Sequence, residues 1–274
     1  MSASAAGGAG PSAEAPPPAG DAAAAGGASR GAAPGDDGGE ALAASFGVPA
    51  GIRRVVPPAD GATRIVLVRH GEAVCNTSGI VGGVLGCTGL TELGRRQVVA
   101  LATRLEETGE LAGATALYAS VLPRAIETAG LLRAVVGSGT LEVVRECALC
   151  ELHPGEADGL GWQEVVDRFG VPEWDTDPDI VIAPGGESWT AFVARASGAV
   201  QELAARHPGE LVIAAVHAGV IESTMISFLQ VPPVASRRGW TRIVHASLTE
   251  WEWVPAESRW VLIRFNDACG VPTA

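Results

Sequence analysis

Four short stretches of the chain are aliphatic at nearly every position: Ile65 to Val68, Ala116 to Ala119, Leu141 to Val144 and Leu211 to Val216. Each is too short for a helix and rich in Val, Ile, Ala or Leu, the pattern of a strand covered on both faces. Between them the period changes. In "TELGRRQVVALATRLEET" the apolar residues Val98, Leu101, Ala102 and Leu105 fall three and four apart behind Thr91, a residue suited to cap a helix. Further helices are predicted from Pro123 to about Val135, Trp162 to Phe169, Glu187 to about Arg206 and Gly219 to about Leu229. Two final runs, "RIVHASLTEWEWV" and "RWVLIRF", alternate with period two and predict a closing antiparallel pair. The alternation predicts an α/β fold, a three-layer sandwich with a mostly parallel central sheet and helices on both faces.

Composition divides the chain in two. Residues 1 to 60 are mostly Ala, Gly, Pro, Ser and Asp, with almost no large apolar side chain before Leu42. Such a segment cannot bury enough surface to offset its ordering entropy, so it reads as a disordered tail ahead of a folded domain over 61–274. It has neither the basic start nor the continuous apolar stretch of a secretory leader, and no later run is long enough to cross a bilayer. The expectation is a soluble, cytoplasmic protein. A net charge of -12 argues against nucleic-acid and anionic-membrane surfaces, which need a basic footprint.

All 19 basic residues are arginine. The absence of lysine excludes a P-loop lysine and a Schiff-base lysine, and leaves arginine, with its planar fork, to bind phosphate. Cys147 and Cys150 form a lone C-x-x-C with no second pair to complete a metal site, and read as two partly buried thiols. The glycine-rich "GIVGGVLG" lacks dinucleotide-binding spacing and reads as a flexible loop.

In a parallel sheet, ligands bind at the carboxyl ends of the strands. Arg69 and His70 stand where the first aliphatic run stops, Ser120 and Arg124 follow the second, Glu151 follows the third, and His217 to Gly219 follow the fourth. Singly, Arg124 reads better as a surface helix residue, Glu151 as a solvated carboxylate and His217 as a core histidine. Together they place two arginines, two histidines and a carboxylate on one edge of the sheet.

With these residues in view, "LVRHGEAVCN" resembles the signature of the histidine phosphatase superfamily, which includes phosphoglycerate mutases and sugar phosphatases. "GLTELGRRQVVALATRL", "YASVLPRAIETA", "GGESWTAFVARA", "VIAAVHAGVI", "ASLTEWEW" and "VLIRFND" resemble its other segments in order, so that the similarity covers nearly all of residues 63 to 270. The resemblance implies that His70 is a nucleophile forming a phosphohistidine. It also implies that Arg69, Arg124 and His217 surround the phosphoryl oxygens, with Asn76, Gly71, Ala218 and Gly219 completing the anion site. Glu151 would protonate the leaving group, with Glu156 as the alternative. Two departures stand out: Ala218 where the family commonly has glycine, and His245, often asparagine, close enough to affect substrate choice.

The resemblance therefore implies a phosphatase acting on a small phosphorylated metabolite, without metal or other cofactor. A cofactor-dependent mutase and a non-catalytic phospho-ligand sensor are the alternatives. The stretch from Leu152 to Gly186 is acidic around "PEWDTDPD", where mutases of the family carry a longer basic insert, which favours hydrolysis. The pocket wall is expected from Thr77 to Thr88 and Leu152 to Gly185, His153 is expected in a loop, and Trp162 and Trp174 in the core. A homodimer is left open.

Overall fold

A strand that is aliphatic on both faces has to lie in the middle of a covered sheet. The computed structural model, which describes residues 59–231 and 241–272, places β1 (Thr63–Arg69) there. The chain continues through α1 (Val74–Ser78), α2 (Glu92–Thr108), β2 (Ala116–Ala119), α3 (Pro123–Leu132) and β3 (Val143–Arg145). It then passes through α4 (Trp162–Phe169), α5 (Trp189–Arg206), β4 (Leu211–Val216), α6 (Ala218–Phe228), β5 (Leu248–Val254) and β6 (Arg259–Asp267). The stretch expected as a tail lies outside the described residues except for Ala59 and Asp60.

The sheet order is β3-β2-β4-β1-β5-β6. The first four strands are mutually parallel; β5 runs antiparallel to β1, and β6 antiparallel to β5. Side chains alternate across the sheet. Ile65 and Leu67 pack with Phe192, Val200 and Leu203 of α5 and Ile221 of α6, whereas Val66 and Val68 pack with Val98, Leu101 and Leu105 of α2 and Leu132 of α3. Each of these side chains is almost wholly withdrawn from solvent. Burial of one such group is worth roughly 1.5–3 kcal/mol, more than helix propensity supplies, so the two faces of the sheet hold the helices in place. This is the expected three-layer arrangement. Among the described residues no helix is long and apolar enough to cross a membrane.

Local signals explain the boundaries. Thr91 Oγ1 accepts the Gly94 amide at 2.9 Å and opens α2, and Ser188 caps α5 by accepting from Ala191 at 3.2 Å. The third strand is shorter and later than its apolar run suggests. Leu141 instead packs beside Gly137 and against the α2/α3 face, with its carbonyl accepting from Arg133 Nε at 2.6 Å. In "RIVHASLTEWEWV" only the second half is strand. Its first half turns away because the Ala246 amide bonds the Arg69 carbonyl at 3.0 Å, with Ala246 at φ 53°. Gly71 and Gly94 allow the chain after β1 to touch α2: a Cβ on Gly71 would sit 2.4 Å from the Gly94 carbonyl oxygen.

Candidate active site

Strand register brings the polar residues together. Arg69 pairs with Val216 between β1 and β4, and Ala119 with Ala215 between β2 and β4, so His70, His217 and Ser120 emerge side by side. His70 is almost fully buried, and its amide bonds the Val216 carbonyl at 3.0 Å. Its Nδ1 lies 2.6 Å from the Gly71 carbonyl oxygen, which can only accept, so the proton belongs on Nδ1 and the lone pair on Nε2. Arg124 Nε donates to that Nε2 at 3.1 Å, consistent with this tautomer.

Pro123, as the first residue of α3, sets the helix start and brings the Arg124 guanidinium under the strand ends. The same Nε is shared with His217 Nδ1 at 3.2 Å, and Nη1 donates to the Gly82 carbonyl at 2.6 Å. With Nδ1 accepting, the His217 proton lies on Nε2, which donates to Ser120 Oγ at 2.8 Å. Arg124 is buried, yet has no carboxylate partner among the described residues. A buried cation among neutral imidazoles is prepared for an anion. Burial first, and then the charge of Arg124, hold both imidazoles well below the usual histidine range.

Arg69 leaves β1 and donates through Nη1 to the Ile243 carbonyl. The segment from Ile243 to Ala246 therefore borders the site. It carries His245, whose ring centre lies 5.7 Å from that of His70. Burial, followed by Arg69 and Arg124, lowers the His245 pKa to about 3.

Glu151 reaches the cleft from a different part of the chain, the excursion between β3 and α5. Its Oε2 accepts the Gly219 amide at 3.1 Å, at the start of α6, and its Oε1 accepts from Leu152 at 3.3 Å. Arg195 of α5 holds the chain here: Nη1 bonds the carbonyls of Ala148 and Cys150 at 2.9 and 3.1 Å, while Nε and Nη2 grip Glu187, each at 2.7 Å. Arg69, His70, Asn76, Arg124, Glu151 and Ala218 all line one cleft of about 200 Å³, walled by Ile80 to Gly83, Leu152 and Pro154. Asn76 Oδ1 accepts from Ala73 at 3.0 Å, which leaves its amide hydrogens as donors.

Some expected residues stand one step back. Gly71 packs on α2, His217 lies behind Arg124, and Gly219 meets Glu151, so none of the three lines the cleft. Glu156 is exposed, sits in the single turn Gly155–Ala157, and is also outside it. Trp162 and Trp174, partly buried, pack beside Val165 and Ile182 without lining the cleft. The glycine-rich loop, expected to be flexible, is pinned where Asp158 accepts the amides of Leu85 and Gly86, each at 2.9 Å. Sequence reasoning missed Arg195 and Asp158. Each is a single charged residue between small neighbours, Ala194 and Ala196 or Ala157 and Gly159, and their partners are mostly main-chain groups far away in sequence.

Known proteins carry the same framework. The family model described as "Histidine phosphatase superfamily (branch 1)" matches residues 65–268. A metal-independent phosphoserine phosphatase from Arabidopsis thaliana is 32% identical over 210 residues, which are 75% of this chain and 82% of that protein. A phosphoglycerate mutase-like protein 4 from the same plant is 34% identical over 166 residues, 58% of this chain and 68% of the relative. The solved structure of a mycobacterial glucosyl-3-phosphoglycerate phosphatase in complex with VO3 superposes with a TM-score of 0.61 at 30% identity, covering 74% of this chain and 99% of its own. With a family match across most of the described residues and an α/β framework in common, the chain belongs to the histidine phosphatase superfamily.

Proposed function

We propose that this histidine phosphatase hydrolyses a small phosphomonoester by way of a phosphohistidine on His70, with Glu151 as the proton donor. The supporting observation is the hydrogen-bonded state of His70: its Nδ1 proton is engaged by the Gly71 carbonyl, and its Nε2 lone pair lies beside a buried guanidinium that has no carboxylate partner among the described residues. In the first step Nε2 attacks phosphorus, the ester P–O bond breaks, and the leaving alkoxide takes the Glu151 proton. In the second, water attacks the phosphorus and gives its proton to the Glu151 carboxylate, and the P–N bond breaks to release phosphate and free His70. Arg69, Arg124 and Asn76 hold the phosphoryl oxygens and stabilise the charge spread over them, while His217, one step behind, fixes the Arg124 guanidinium. The positive charge needed for transfer comes from arginine, so no metal ion is assigned a step.

A cleft of about 200 Å³ suits a small metabolite. The names of the relatives put phosphoserine and phosphoglycerate derivatives first among candidates. The catalytic unit is taken as residues 61–274, consistent with a family match over 65–268. A cytoplasmic location fits five cysteines that are all free, and a net charge of -12 fits a protein without a nucleic-acid partner.

The test is phosphate release from a panel of amino-acid, glycerate, sugar and aryl phosphomonoesters in excess EDTA, together with acid-labile labelling of the protein by substrate phosphate. Release and labelling by the wild type, both lost in His70→Ala, are expected. Release that persists in His70→Ala would overturn the phosphohistidine. Transfer between substrate hydroxyls without net release would establish the mutase reading instead.

A further inference from the structure

The C-x-x-C of the sequence has a third partner that no cysteine count reveals. After β3 the chain makes a single 3-10 turn, Cys147–Leu149, and then extends from Cys150. The turn brings the Cys147 and Cys150 sulfurs to 3.9 Å, and the chain beyond it returns His153 Nε2 to 3.9 Å from Cys147 Sγ. All three ligand atoms lie within 4.8 Å of one another. In a tetrahedral zinc site with bonds of about 2.3 Å to sulfur and 2.0–2.1 Å to nitrogen, such atoms stand roughly 3.8 Å and 3.6 Å apart, so little movement is required.

We propose that Cys147, Cys150 and His153 bind a thiolate-seeking divalent ion of the zinc type. A carboxylate for a second layer stands close by. The other ring nitrogen of His153, Nδ1, is 3.6 Å from Glu187 Oε2, which on moving a few tenths of an ångström closer would orient a metal-bound imidazole and raise its basicity. Glu187 is itself fixed by Arg195 and by the His153 amide at 2.9 Å. On binding, two S–H protons pass to solvent, two sulfur–metal bonds and one nitrogen–metal bond form, and water takes the fourth position beside the exposed Cys147. No oxidation is involved. The two flanks of Glu151 are then clasped together, since that residue lies between the second and third ligands; the binding itself does not depend on the role assigned to Glu151.

The other cysteine pair is a poor competitor. Cys75 and Cys87 are buried, and the Arg124 guanidinium lies 3.8 Å from Cys75 Sγ, where it repels a cation.

Titration of the full, reduced and chelator-stripped chain with Co²⁺ tests the proposal. A thiolate-to-cobalt charge-transfer band should saturate at one equivalent and be displaced by one equivalent of Zn²⁺. It should be lost in Cys147→Ser, be strongly weakened in His153→Gln, and survive in Cys87→Ser. Both altered ligands reach solvent, so circular dichroism should match the wild type. Glu187→Gln should weaken binding by about 10–100-fold. Absence of the band, its persistence in Cys147→Ser, or its loss in Cys87→Ser in place of Cys147→Ser would overturn the assignment, and unchanged affinity in Glu187→Gln would remove the orienting carboxylate from it.

Discussion

The two sides of the cleft are built on different principles. On one side His70, Arg124 and His217 follow the ends of β1, β2 and β4, and the register of buried strands fixes their spacing. On the other, Glu151 belongs to an excursion with only one short α-helix, anchored by Arg195 on main-chain carbonyls and by Asp158 on main-chain amides. The first side concentrates positive charge where water is excluded; the second presents a carboxylate that reaches the cleft. A displacement at phosphorus needs both: a fixed cradle for the phosphoryl group and an acid facing the leaving oxygen, which differs from one ester to the next.

Substitutions on the cradle side should therefore affect every substrate alike. Arg124→Ala removes the guanidinium between two imidazoles, and kcat is expected to fall by about 10²–10³-fold for aryl and alkyl esters equally. Arg124→Lys should not restore it, because one ammonium cannot serve His70, His217 and the Gly82 carbonyl in that fixed fork. Steady-state kinetics on both ester classes decide the point, and recovery in the lysine variant would show that charge alone suffices. On the acid side the effect should depend on the leaving group. Glu151→Gln is expected to slow alkyl esters by about 10²-fold while leaving aryl esters, whose phenolate needs no proton, close to the wild-type rate. Equal losses on both would make Glu151 part of the cradle.

The two sides also differed in how readily the sequence disclosed them. A charged residue directly after an aliphatic run is conspicuous, and Arg69, His70 and His217 follow from that pattern once the sheet is inferred. Glu151 carries no such mark. It follows a three-residue strand and a single helical turn, and only family resemblance separated it from Glu156, three residues after His153. Arg195 reads as an ordinary polar position on a helix, because its carbonyl partners lie more than forty residues away. His153 escaped notice as a partner for the cysteines for a related reason: positions 147, 150 and 153 converge only because a 3-10 turn is followed by extended chain. Periodicity reports elements and their faces; it is silent where the backbone is irregular.

Gly219 joins the two sides and offers a smaller perturbation. A Cβ there would lie 2.2 Å from Glu151 Oε1 and 2.9 Å from the Phe192 ring, while the residue itself has ordinary helical geometry at the start of α6. Gly219→Ala should push the carboxylate aside without unfolding the helix, for which alanine is favoured by up to about 1 kcal/mol. Alkyl-ester turnover is expected to drop by about tenfold, less than on removal of the acid, with aryl-ester turnover almost unchanged. A uniform loss on both would mean that the strain passes through α6 to His217.

The smallest effect concerns the histidines of the cradle. His245 is held neutral, first by burial and then by Arg69 and Arg124, with its pKa lowered to about 3, whereas in an unfolded chain it should titrate near 6.5. Below about pH 6.5 the unfolded state therefore takes up a proton that the folded state refuses. Stability is intact above that pH and declines as the pH falls toward 3, by up to about 1.4 kcal/mol per pH unit for this residue. His70 and His217, shifted in the same direction, add to the decline. In His245→Asn one of the three proton uptakes disappears. Urea unfolding at pH 7.5, 6.5, 6 and 5 should give a shallower loss of stability between pH 6 and 5 than in the wild type, with little difference between pH 7.5 and 6.5. An unchanged slope would mean that His245 gains access to solvent as easily folded as unfolded, and that the dry, cationic side of the cleft stops short of the segment from Ile243 to Ala246.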